Sequence, residues 1–189
     1  MALNLQIVIC STRPGRVGPS VAKWFDEFAK SHSEFRVKCV DLADFDLPVY
    51  NEAKHPRFKD YEFEATNNWS RSVDKADAYV FVTPEYNFGA TPALINALNY
   101  VYQEWNYKPC GFVSYGGMSG GVRGVQVAKQ LVTTLKMMPM VEGVAIPNVA
   151  NQLDDDQKFL SNELIDDSAR SLLDELHKWA VALKPMRQA

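Results

Sequence analysis

Three short stretches hold the residues best able to handle a ligand. In the first, Ser11 and Thr12 bring hydroxyls and Arg13 a guanidinium, just ahead of Gly18, Pro19 and Ser20, where a helix start would present backbone N–H groups. Hydroxyls, a permanent cation and the positive end of a helix dipole together make an anion site, most naturally for a phosphate. The alternative is a helix cap with surface arginines. In the second, Glu85, Tyr86 and Asn87 follow Pro84 and precede Phe88, Gly89 and Pro92. Two prolines stiffen this loop, Gly89 allows a tight path, and polar groups lie beside an aromatic face, a mixture suited to a flat ring with a polar edge. An ordinary turn with Pro at the next helix start is the competing reading. In the third, Tyr115, Gly116, Gly117 and Met118 open a glycine-dense run that continues to Gly124. Without Cβ atoms its backbone amides can approach a ligand closely; a flexible connection is the alternative.

Other chemistries find little support in the residues. No Gly-x-x-x-x-Gly-Lys-[Ser/Thr] occurs, and no Gly-x-Gly-x-x-Gly follows the first strand, which argues against a P-loop and a Rossmann dinucleotide domain. His32, His55 and His177 stand apart from Cys or acidic partners at metal-ligand spacing. No His-Glu-x-x-His is present, so the metalloprotease reading falls. Any redox chemistry must come from a bound cofactor.

The elements that have to position these stretches alternate along the chain. Residues 3–10 read as a first strand, a helix with an apolar stripe of Val21, Phe25 and Phe28 follows Pro19, and residues 35–42 read as a second strand. Residues 43–62 look irregular, a length of loop usually functional or mobile. A helix over 63–75 leads to a third strand at 78–82, a helix over 92–104 to a fourth at 110–115, and a further helix to a fifth at 141–146. Leu160, Leu164, Leu172, Leu176, Trp179 and Leu183 mark one long closing helix. Five strands alternating with five helices imply a single three-layer α/β domain with a parallel sheet. With strand order 2-1-3-4-5, the loops after strands one, three and four meet at the carboxyl edge, and they are the three stretches above.

Composition sets outer limits. The 189 residues are 47% hydrophobic, enough for a sizeable core in one domain. A net charge of −3 recommends neither nucleic acid nor an anionic membrane as partner, and no apolar run approaches the roughly 20 residues of a membrane span. Cys10, Cys39 and Cys110 are odd in number and far apart, as free thiols in a reducing compartment would be, so the expected location is the cytoplasm. Asp154, Asp155 and Asp156 read as a solvated loop or helix start.

With these residues in view, the chain resembles the NADPH-dependent FMN reductases of the flavodoxin-like fold, which include quinone and azo-compound reductases. The resemblance rests on Pro84-Glu85-Tyr86-Asn87 with Pro92, on Val113-Ser114-Tyr115-Gly116-Gly117 with Gly120-Gly121, and on the run from Ser11 to Gly18, and it spans residues 5–146. It implies that Ser11, Arg13 and the amides of Gly18 to Ser20 hold the FMN phosphate. It further implies that Pro84, Glu85, Tyr86, Asn87 and Phe88 edge the isoalloxazine, and that Tyr115, Gly116, Gly117 and Met118 close its other side. Many members have Ser and Asn where this chain has Arg16 and Gly18. The function implied is transfer of hydride from NADPH or NADH through FMN to a small acceptor such as a quinone, free flavin or azo compound, with no catalytic side chain. A flavodoxin-like FMN electron carrier without NAD(P)H oxidation is the alternative, and the mild charge of −3 counts against it. Arg123 is a candidate contact for a 2′-phosphate, or else a solvated surface arginine.

The helix over 92–104 is apolar or aromatic around nearly its whole circumference, and one sheet face covers one stripe. Burial of its other side by a second subunit makes the protein a homodimer or dimer of dimers, as members of the resembled family typically are. The alternative is that residues 43–62 fold over it within one chain.

Overall fold

The computed structural model describes residues 2–187. Strands β1 (Asn4–Ile9), β2 (Arg36–Asp41), β3 (Ala78–Pro84) and β4 (Pro109–Tyr115) are all parallel, in the order β2-β1-β3-β4. β3 and β4 are buried along their whole length, as continuous apolar runs sandwiched between two helix layers must be. The fifth strand is in two pieces, β5 (Met138–Pro139) and β6 (Val144–Ile146), both parallel to β4. Residues 138–139, which precede the fifth strand expected at 141–146, therefore pair with β4, whereas 141–143 bulge out with Val141 almost fully exposed. Pro139, lacking an N–H, and Gly143 fit the interruption.

Helices α1 (Gly18–His32) and α5 (Glu163–Leu183) cover one face, packing Val21, Phe25, Leu172 and Leu176 on Leu5, Ile7, Val80 and Val113. Helices α2 (Glu64–Asp74), α3 (Pro92–Tyr100) and α4 (Val122–Thr134) cover the other, with Trp69, Leu94 and Ala128 against Val8, Phe81 and Phe112. α5 begins later than its leucines imply. Asn162 caps it through Ile165 N–H, so its buried stripe runs Ile165, Ala169, Leu172, Leu176, Ala180, while Leu160 and Leu164 face solvent.

α3 stops at Tyr100, and the aromatic residues beyond it are not a free surface. Trp105 is fully buried among Trp69, Tyr79 and Phe81. The outer side of α3 is partly covered from within the chain. Asn96 receives Tyr50 N–H and donates to Pro48 O, and Tyr100 Oη donates to Pro48 O. The irregular segment 43–62 thus packs on α3. Between them remains a largely apolar cavity of about 750 Å³, lined by Thr12, Leu42, Leu47, Val49, Ala93 and Ile95.

Candidate functional site

The register brings the ends of β1, β3 and β4 level. Cys10 N–H donates to Val82 O at 2.9 Å, and Glu85 N–H to Tyr115 O at 3.3 Å. The three loops singled out in the sequence therefore share one edge.

The loop after β1 is clamped at its base and open at its tip. Arg16 donates to Ser11 O and bidentately to the Asp41 carboxylate at 3.0 and 2.6 Å, tying the loop to the end of β2. Such a fork is rigid and charge-assisted. Ser11 is buried, its Oγ accepting from Tyr115 Oη at 3.1 Å. A Cβ at Gly18 would lie 2.4 Å from Ser11 Oγ and 2.8 Å from Tyr115 Oη, so Gly18 is what lets α1 start against this corner. Among the described residues Arg13 has no carboxylate partner; its guanidinium is exposed and reaches only Pro14 O. None of the N–H groups of 12–17 is donated to another backbone carbonyl. The helix start offers fewer amides than expected, since Pro19 has no N–H and Ser20 N–H donates to Val17 O at 3.0 Å. Ser20 Oγ accepts from Phe159 N–H at 2.7 Å, which leaves its hydroxyl proton to be donated elsewhere.

The loop after β3 is a hairpin-like turn. Tyr86 and Gly89 exchange backbone hydrogen bonds of 3.1 and 2.9 Å, with Asn87 and Phe88 at the tip at φ of 50° and 65°. Thr91 caps α3 through Leu94 N–H and donates to Cys10 O at 2.7 Å, fastening this loop to β1. Pro84 is buried in the β3–β4 pairing, and Tyr86 is half-buried. Glu85 points away from the open edge. Its Oε2 accepts from Ser119 Oγ at 3.0 Å and from Arg123 and Gly124 N–H at 3.1 and 3.4 Å, and Oε1 lies 3.5 Å from Arg123 Nε. Its carboxylate thus caps α4, and as a side chain it serves the protein rather than an outside ligand.

In the glycine loop, Gly116 N–H donates to Ile146 O, while Gly117 and Met118 are exposed and their N–H groups meet no protein acceptor among the described residues. A Cβ at Gly117 would touch nothing within 4 Å, so open space adjoins it. Tyr115 closes the floor between this loop and Ser11. Burial raises its phenol well above the ordinary value, with the Ser11 hydrogen bond opposing, so it remains protonated. Burial, helped by the Asp41 charge, likewise raises the Cys10 thiol, which leaves no thiolate nucleophile at the end of β1. No group of three or more potential metal ligands occurs among the described residues.

These features fit a flat ligand bearing an anionic tail: an unpaired guanidinium and free amides after β1, a glycine flank with open space after β4, and a polar turn between them. Sequence reasoning missed the Arg16–Asp41 clamp, the Glu85 cap on α4, and the stacking of Arg123 on Phe88 at 4.1 Å. Only the Thr91-Pro92 helix start carried a local signal, a hydroxyl residue ahead of a first-turn proline.

The sheet order and the loops at its carboxyl edge define a flavodoxin-like domain. Solved structures agree on the fold: FerB, a flavoenzyme NAD(P)H:(acceptor) oxidoreductase from Paracoccus denitrificans, superimposes with a TM-score of 0.76 at 19% identity, covering 96% of this chain and 98% of that one. Residues 3–151 match the family model described as NADPH-dependent FMN reductase, and the chain belongs to that family. Among its relatives, an NAD(P)H-dependent FMN reductase of Schizosaccharomyces pombe is 37% identical over 148 residues, covering 76% of this chain and 74% of the relative. One of Nectria sp. is 33% identical over 153 residues, covering 78% and 76%. A quinone reductase of Pseudomonas putida is 30% identical over 188 residues, covering 93% and 94%.

Proposed function

We propose that the protein is an FMN-dependent NAD(P)H oxidoreductase that reduces a small planar acceptor, a quinone, free flavin or azo compound. The observation that carries this reading is the juxtaposition, at one sheet edge, of an unpaired Arg13 with the open glycine flank at Gly117. When bound, FMN supplies the hydride chemistry, taking electrons from NADPH or NADH and passing them on.

The chain's own residues bind and orient. Arg13, the hydroxyls of Ser11 and Ser20 and the loop amides ahead of Gly18 hold the phosphate. The backbone of Pro84, Glu85, Tyr86, Asn87 and Phe88 edges the ring. Tyr115, Gly116, Gly117 and Met118 close its far side, with the N–H groups of Gly117 and Met118 available to a polar ring edge. Neutral Tyr115 keeps the floor uncharged beneath it.

The relatives' activities support the acceptor class: quinone reductase in Pseudomonas putida and NADPH azoreductase in a Bacillus species. We place the protein in the cytoplasm, in keeping with its three free thiols; among the described residues no helix is long and apolar enough to cross a membrane. We further propose a homodimer, or a pair of dimers, in which a second subunit fills the apolar cavity beside α3 and covers Val49, which is 88% exposed. Sedimentation equilibrium at micromolar concentration tests this, and a species of 21.3 kDa would refute it.

Purified protein should be yellow or take up FMN, and its flavin absorbance should bleach when NADPH is added without air. Colourless protein unable to bind FMN would overturn the assignment. Gly117→Leu should abolish FMN uptake with no change in melting temperature, because the added side chain enters open space rather than the core.

A further inference from the structure

We propose that Phe88 is the residue that selects planar aromatic electron acceptors, its ring held in place by Arg123 and Glu85. The inference rests on the FMN reading above and concerns the space beside the ring, not the cofactor's own contacts.

The backbone gives the first reason. Asn87 and Phe88 are the two central residues of the turn closed by Tyr86 and Gly89, and both have positive φ, 50° and 65°. Turns of this kind favour Asn followed by Gly, since Gly adopts a left-handed conformation freely and an aromatic residue seldom does. The second position here carries Phe. Burial does not explain it, because Phe88 is 68% exposed. A side chain that strains the backbone and contributes nothing to a core marks a functional position.

Contacts on one side of the ring give the second reason. The Arg123 guanidinium lies 4.1 Å from the Phe88 centroid, and its Nε is 3.5 Å from Glu85 Oε1. Glu85 is fixed in turn by Ser119 Oγ and by the first-turn amides of α4. A Cβ at Gly124 would meet Gly89 O at 2.7 Å, so the turn seats directly on α4 with no side chain between. An exposed aromatic ring would ordinarily sample several rotamers, and this one is stacked against an anchored cation. The rest of its surface is open to solvent, and Met118 of the glycine loop is 89% exposed. A ring fixed on one side and free on the other suits stacking with a planar aromatic molecule such as a quinone. Arg123 thereby acquires a role other than nucleotide recognition.

The test compares Phe88→Gly and Phe88→Trp with the wild type, all loaded with FMN. The acceptors are 2-methyl-1,4-naphthoquinone and dioxygen, which has no ring to stack. In Phe88→Gly the ratio of kcat/KM for the quinone to that for dioxygen should fall about fivefold, and Phe88→Trp should restore it. Titration with redox-inert 2-naphthol, followed by its perturbation of the flavin spectrum, should show a Kd weakened by a similar factor. Without FMN, Phe88→Gly should melt no lower than wild type, since glycine suits the turn. An unchanged quinone-to-dioxygen ratio overturns the proposal. So does a fall in melting temperature or a change in sedimentation coefficient without a change in the ratio, which would assign Phe88 to packing or to a subunit interface. Failure of the wild type to bind FMN would instead remove the reading beneath it.

Discussion

Helices α1 and α4 both begin just past a strand end at the carboxyl edge of the sheet, and their first turns are treated in opposite ways. Neither has an acidic residue of its own in that turn or a side-chain cap from its N-cap residue. α4 receives a carboxylate from elsewhere, since Glu85 accepts from Arg123 and Gly124 N–H. Among the described residues no carboxylate accepts from the first turn of α1, and the nearby loop adds Arg13 without an acidic partner. The positive pole of one helix is neutralised internally and that of the other is left for an anion from solution. On the function proposed above, the α4 end would serve as a firm wall for a ring, and the α1 end as the place for a phosphate.

The largest effect should come from removing the cation at the open end. Arg13→Ala should weaken FMN binding by about 1.5–3 kcal/mol, the range for a charge-assisted bond to phosphate. Fluorescence-quenching titration measures it, and an affinity equal to wild type would detach Arg13 from the anion. Next is the corner that keeps that end in place. Gly18→Ala sets a Cβ against Ser11 Oγ and Tyr115 Oη, and should lower stability by about 1–3 kcal/mol in urea unfolding as the Tyr115–Ser11 bond is forced apart. A variant as stable as wild type would mean that the corner yields freely.

Opening the closed end sharpens the contrast further. Glu85→Ala should cost about 1–2 kcal/mol through loss of the cap. Sulfate should restore more stability to this variant than it adds to the wild type, because α4 would then resemble α1. Equal responses to sulfate would end the comparison.

The smallest effect lies at the opposite edge of the sheet. Lys108 is buried, donating to Val73 O, Asp74 O and Tyr79 Oη, and burial lowers its pKa from 10.5 to about 8 despite the opposing charge of Asp74. Between those values the unfolded chain holds a proton that the folded one lacks, so stability rises with pH across the window. The gain is about 1 kcal/mol from about pH 8 to about pH 9. Lys108→Met should flatten that rise while leaving FMN affinity alone; a slope that persists would place its origin in another group.

What the sequence disclosed, and what it hid, follows from the range of the interactions. β1, β3 and β4 were readable because each is a short apolar run between turn signals, and their loops stood out by content alone. The fifth strand was misplaced because Pro139 reads as a stop, although it sits at the end of a two-residue pairing with β4. The closing helix was read from leucines, but Leu160 and Leu164 are exposed, and only Asn162 fixes where it starts. The polar groups after β3 were correctly placed at the edge, yet Glu85 turns inward to partners 34 to 39 residues away. A carboxylate in a loop looks the same in sequence whether it awaits a ligand or caps a helix. Arg16 looked like a departure from a pattern because Asp41 lies across a strand boundary, 25 residues on. The segment 43–62 carried no periodicity, and its packing on α3 depends on side-chain bonds from Asn96 and Tyr100 that no local pattern announces.

The break between β5 and β6 bears on how the molecule behaves among its own copies. A long, regular strand at a sheet rim offers a row of unpaired N–H and C=O groups on which a neighbouring chain can build, the first step toward aggregation. Here that rim presents two residues, a bulge and then three, too short a run at either place for a stable ladder between molecules. The other rim is β2, which carries Arg36, Lys38 and Asp41. The sheet therefore ends at both sides, one by irregularity and one by charge, and neither rim offers a neighbouring copy a long uncharged strand to pair with.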